Sequence, residues 1–225
     1  MLKWADIKDK QVKRNTPVLS DLPEFVNRLK PGDIIVTKPS DRSTGDAGGI
    51  FAPIISAVTG SPWIHTGVYV GGGKVTHLYS GVTAKSRGSL KDMRVRTQSL
   101  KSVSRLGNDF LALRPKVDAK VKQEAVKRIN SLKGTPVDVI GFLRAGFLPG
   151  KRNKELKRPD EVICTGATAF AYPDIDWRKG KSSLYTRAVD FVKNRKVKEI
   201  AAYDPVKTAS RILQRCNFWG VEDAV

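Results

Sequence analysis

Sulfur and imidazole are both scarce in this chain: it has two cysteines, two methionines and two histidines among 225 residues. Two cysteines, Cys164 and Cys216, exclude a disulfide-stapled scaffold and fit a reducing compartment. A long apolar run is missing too. The longest stretch, residues 49–60, is broken by Gly and Pro and falls well short of the roughly 20 apolar residues that span a bilayer. It reads as a buried helix rather than a lipid-touching one, and no transmembrane segment is expected. The opening MLKWADIKDKQVKR carries a charge every few residues and lacks the apolar centre of a secretory leader. A cytoplasmic or particle-associated protein is therefore expected.

Acidic residues are the other shortage. Against 41 Lys and Arg stand only 22 Asp and Glu, for a formal net charge of +19. That excess biases the choice of partner toward a polyanion such as nucleic acid, anionic lipid or an anionic wall polymer. The basic residues recur in KDKQVKR, KSRGSLKDMRVR, KRNKELKR and VKNRKVKE. Spread in this way, they are in the first place a solvated surface and only secondarily a dedicated binding face. With 40% hydrophobic and 28% charged residues, the chain can bury one good-sized core.

The hydrophobic pattern gives an α+β order. Residues 1–28 read as a basic arm followed by a short helix, in which Asp21 caps Leu22, Phe25, Val26 and Leu29 and Pro23 lies in the first turn. Residues 29–225 read as a single domain. Pro31-Gly32-Asp33 is a turn before the short buried strand of Ile34, Ile35 and Val36, and residues 39–49 form a loop long enough to line a site. WIHTGVYV, a glycine triplet and KVTHLYSGV predict a β-hairpin, with further strands over 93–96 and 109–114. From Asp118 the spacing of Val121, Ala125, Ile129 and Leu132 is helical, and Gly134 ends it. Further helices are expected over 137–148, from Cys164 onward, over 184–193 and over 205–216, the last placing Cys216 in the core.

Both histidines fall in the predicted hairpin. If Gly71–Gly73 form a three-residue turn, Val70 pairs with Lys74 and His77 lies opposite Gly67. His65 then shares a face with His77 as its diagonal neighbour, with Cβ atoms within about 7–8 Å. A two-residue turn would shift the register by one and separate them. Cys164 sits where a buried helix should begin, and the unpaired N–H groups of a helix N-terminus favour a thiolate. A thiol beside an imidazole, with a second group orienting that imidazole, is a nucleophile–base–orienter arrangement. Trp63, beside His65, either shields such a site or packs in the core.

GDIIVTKPS followed by VTGSPWIHTGVYVGGGKVTHL resembles the N-terminal half of the circularly permuted papain-like cysteine hydrolases. That superfamily includes bacterial wall-amidase relatives and the lecithin:retinol acyltransferase group. GTPVDVIGFLRAGFLPG resembles the segment before the family's cysteine, and DPVKTASRI the segment that closes its domain, so the resemblance covers roughly residues 29 to 212. It implies a permuted papain-like fold, with a small antiparallel sheet or open barrel packed against helices and Cys164 at a helix N-terminus. It also implies a catalytic triad: Cys164 as nucleophile, His65 as general base and His77 as its orienting partner. In one departure, Thr165 and Gly166 follow the cysteine where family members often carry Ser and a carboxylate. A glycine in a first helical turn weakens the helix by about 1 kcal/mol relative to Ala, and the change bears on how a substrate is placed.

The expected activity is that of a thiol hydrolase or acyltransferase acting on an amide, ester or thioester, with an acyl or peptide-like substrate and no cofactor. The alternative is a basic structural or nucleic-acid-associated protein, such as a virus or phage particle component, that keeps the fold without needing catalysis. Zinc held by His65, His77 and Cys164 has suitable ligand types, but it lacks the usual paired spacing and a fourth ligand.

Overall fold

A computed structural model describes residues 15–39, 61–79, 93–105, 108–138, 160–177 and 188–204. Seven strands form one sheet: β1 (Val18–Leu19), β2 (Ile34–Pro39), β3 (His65–Gly71), β4 (Lys74–Tyr79), β5 (Arg94–Ser99), β6 (Asn108–Pro115) and β7 (Val197–Tyr203). Their order is β1-β7-β6-β2-β3-β4-β5. Every neighbouring pair is antiparallel except β1 and β7, which run parallel. Five helices complete the described chain: α1 (Leu22–Asn27), α2 (Leu100–Ser104), α3 (Ala119–Ser131), α4 (Cys164–Ala171) and α5 (Ala188–Lys193). The architecture is mixed α/β, compatible with the α+β class.

The two faces of the sheet bury separate cores. Ile34, Val36, Val68, Leu78, Val95, Leu111 and Leu113 point to one side, where Ala125 and Ile129 of α3, Ala167 and Ala171 of α4 and Phe191 of α5 cover them. Ile35, Tyr69, Val75, Phe110 and Ala112 point to the other, against Phe25 of α1 and Leu100 and Val103 of α2. This is the period-two alternation of strands buried on both faces.

Several local expectations are realised. Asp21 caps α1 by accepting from the Glu24 N–H at 3.0 Å. In α3, Ala125 and Ile129 are buried, and Gly134 beyond its end takes φ +85°. Gly32 takes φ +91°, and a Cβ there would lie 2.8 Å from Lys122 Cβ, so the turn before β2 needs glycine. Asp33, fully buried, accepts two guanidinium bonds from Arg114, at 2.8 and 2.7 Å, and the Lys30 N–H at 2.8 Å. That bidentate pair raises the Arg114 pKa, chiefly through the hydrogen bonds.

Other elements depart from the sequence reading. Val18 and Leu19, read as part of an arm, form β1 and pair with β7. β7 lies in a stretch for which only helices were expected. Its lysines and glutamate conceal the alternation, and it becomes a strand by pairing with both β1 and β6. Val137, expected to open a helix, instead bridges to Val162. Of the other predicted features, residues 40–60, 139–159 and 205–225 lie outside the described residues, including the apolar stretch, the KRNKELKR cluster, the closing helix and Cys216. No described helix is long and apolar enough to cross a membrane.

The segment before α4 is tied to the sheet's edge. Gly134 N–H donates to Val95 O at 2.9 Å, and Val95 N–H donates to Thr135 O at 3.0 Å. Val162 N–H then donates to Pro136 O at 3.0 Å, while Asp138 N–H donates to Val162 O at 2.9 Å. Residues 134–138 thus clamp the approach to Cys164 onto β5.

Candidate active site

The hairpin brings the two histidines together by a different device from the one the sequence suggests. Gly71 pairs with Lys74 across a two-residue turn, Gly72-Gly73, whose φ values of +59° and +68° are those a primed hairpin turn demands. Alone, that turn would send the imidazoles to opposite faces. A bulge between Tyr69 and Gly71 inserts one residue and restores the register, so Gly67 faces His77 as expected. Gly67 is also sterically required. A Cβ there would lie 2.7 Å from His77 Cβ and 2.8 Å from Val75 Cγ2.

His65 Nε2 and His77 Nδ1 are 2.8 Å apart, with ring planes at 74°. His77 Nε2 lies 2.9 Å from the side-chain oxygen of Gln98 on β5. Burial, reinforced by the neighbouring ring, lowers the His65 pKa to about 3. Burial lowers that of His77 to about 4 against the opposing pull of Gln98. Both imidazoles are therefore neutral at pH 7.

Cys164 is the first residue of α4, and Ile163 before it offers no side-chain cap. Two contacts of the Thr66 hydroxyl hold this helix end to β3. Thr66 Oγ1 and Thr168 Oγ1 donate to the Cys164 carbonyl at 3.1 and 3.2 Å, and the two hydroxyls lie 2.9 Å from each other. The thiol itself donates to Ile64 O at 4.0 Å. The sulfur is therefore held by residues on either side of His65 in sequence. It is not hydrogen-bonded to the His65 ring. Strand alternation directs Thr66 toward the helix and His65, His77 and Gln98 toward the other face of the sheet.

One sequence expectation is corrected here. The helix N-terminus was expected to favour a thiolate, and the backbone N–H groups of Thr66, Thr165 and Cys164 do pull the pKa down. Burial outweighs them and pushes the thiol up to about 11. The resting site holds a neutral thiol and two neutral imidazoles.

Trp63 packs in the core at 2% exposure, its indole N–H finding no hydrogen-bond partner among the described residues. The Lys38 ammonium lies 5.6 Å from the centre of its ring. Among the described residues there is no group of three or more His, Cys, Asp and Glu side chains that could hold a metal ion. Sequence reasoning missed Gln98, Thr66 and Thr168. Thr66 could have been suspected from its place between His65 and Gly67, but nothing local fixes the register of β5. No family model and no curated protein matches this chain.

Proposed function

We propose that this protein is a cysteine hydrolase or acyltransferase with a circularly permuted papain-like fold, acting on an amide, ester or thioester. The observation that carries this reading is the 2.8 Å His65–His77 pair together with a helix that begins at Cys164, whose thiol is held against the backbone at Ile64, next to His65 in sequence. In the reaction, the thiol leaves Ile64 O and turns to His65. Sγ attacks the substrate carbonyl carbon as its proton passes to His65 Nδ1. His65 then returns that proton to the leaving amine, alcohol or thiol as the carbon–leaving-group bond breaks, which leaves a thioester on Cys164. Water or an amine, deprotonated by His65, attacks the thioester and regenerates the thiol. His77 orients His65 throughout, and the N–H groups opening α4 face the developing oxyanion.

Mass spectrometry of the protein incubated with a panel of activated acyl esters and thioesters tests this. The expected result is an acyl increment on the peptide containing Cys164, absent in Cys164→Ser and slowed at least a hundredfold in His65→Ala, the lower end of general-base effects of about 10²–10⁴. Turnover that survives Cys164→Ala unchanged would remove the proposal.

A second reading, a basic structural or nucleic-acid-associated protein, is favoured by the +19 charge and by a resting thiol bonded to a carbonyl. It is separated from the first by the acylation experiment and by the salt dependence of polyanion binding.

A further inference from the structure

We propose that Gln98 is a positioning residue that sets the proton order of the imidazole pair, leaving His65 Nδ1 without a proton and ready to accept one. This rests on the cysteine-hydrolase reading for its use, though the proton order itself does not depend on it.

Two contacts fix which ring nitrogens carry hydrogen. The Gln98 side-chain oxygen, 2.9 Å from His77 Nε2, can only accept, so His77 Nε2–H donates to it. A neutral imidazole carries one N–H, which leaves His77 Nδ1 bare. His77 Nδ1 lies 2.8 Å from His65 Nε2, so His65 Nε2–H donates to it. His65 is neutral as well, and its Nδ1 is then the bare nitrogen. Reversing the Gln98 amide would reverse every step and leave a hydrogen on His65 Nδ1, where it would block proton abstraction. One amide orientation at β5 thus decides whether the ring two contacts away can serve as a base. The tertiary structure supplies the means: Val75 pairs with Gln98 across β4 and β5, placing Gln98 diagonally beside His77 on one face.

Because the chain has only two histidines, their four ring nitrogens can be followed individually by ¹⁵N NMR at pH 7, with His65→Asn and His77→Asn giving the assignment. Pyrrole-type and pyridine-type nitrogens differ clearly in shift. The expected spectrum shows both rings as Nε2–H tautomers. Gln98→Met removes the acceptor and should reduce the Nε2–H preference by about tenfold, the upper end of a net hydrogen-bond contribution. Acylation of Cys164 should slow by a similar factor. Gln98→Glu, an acceptor in either orientation, should keep both rings as Nε2–H. Nδ1–H tautomers in the native protein, or tautomers unmoved by Gln98→Met, would overturn the proposal. Absence of Cys164 acylation beside the expected tautomers would instead count against the hydrolase reading alone.

Discussion

Acidification from pH 7 to pH 5 should weaken this fold by about 4 kcal/mol through His65 and His77 alone, a figure built from one proton-linkage term per ring. In the native protein these side chains titrate at about 3 and about 4 because His77 is buried and His65 is partly withdrawn from water against it, whereas in the unfolded chain an imidazole titrates near 6.5, an approximate reference. The folded pKa values are depressed, so above the unfolded value neither state binds the protons and nothing is lost. As the pH falls below about 6.5, the unfolded chain binds two protons that the native state refuses. Each contributes a slope approaching about 1.4 kcal/mol per pH unit, and the penalty grows until the native rings titrate in turn. Four kilocalories is a large share of the roughly 5–15 kcal/mol that holds a domain together. Urea unfolding at pH 7, 6 and 5, compared between the native protein and the His65→Asn/His77→Asn double variant, isolates the two rings, since other ionisable groups are common to both proteins. The native midpoint should fall much more steeply. Parallel pH dependences would refute the buried, neutral pair, and with it the proton order assigned to the site.

Gly67→Ala should destabilise the protein by about 1–3 kcal/mol, as overpacking does, because its Cβ would lie 2.7 Å from His77 Cβ; thermal unfolding together with the imidazole NMR signals would register both the cost and the displaced ring. Arg114→Met leaves the fully buried Asp33 carboxylate without its bidentate partner and should cost about 3–5 kcal/mol in urea, recovered in part by adding Asp33→Asn. Iodoacetamide should alkylate Cys164 about tenfold more slowly at pH 7.4 than a free thiol: a thiol at about 11 has on the order of a hundredfold less thiolate, and its greater nucleophilicity recovers only part of that. A rate that levels off below pH 8 would show a preformed thiolate instead. If the basic clusters bind a polyanion, DNA binding followed by fluorescence anisotropy weakens log-linearly with salt and loses slope when Lys151, Arg152, Lys154, Lys157 and Arg158 are substituted, with Cys164→Ser unchanged; a flat salt response, or no binding at low salt, would reduce the charge to a solvated surface.

Several features were legible in the sequence because short-range physics fixes them. Asp21 capping α1, the helical spacing of Val121 through Leu132, the Gly32 and Gly134 turns and the helix start at Cys164 depend on neighbours a few residues away. The shared face of His65 and His77 was expected from a three-residue turn, but a two-residue turn and a bulge between Tyr69 and Gly71 produce it. Pairing between distant segments was not legible. β7 became a strand by pairing with β1 and β6, and Gln98 joined the histidines through a β5 register that no local signal sets. The state of the thiol also belongs to the tertiary structure. A helix N-terminus read from sequence argues for a thiolate, but desolvation depends on everything packed around the sulfur, and here it prevails and keeps Cys164 protonated.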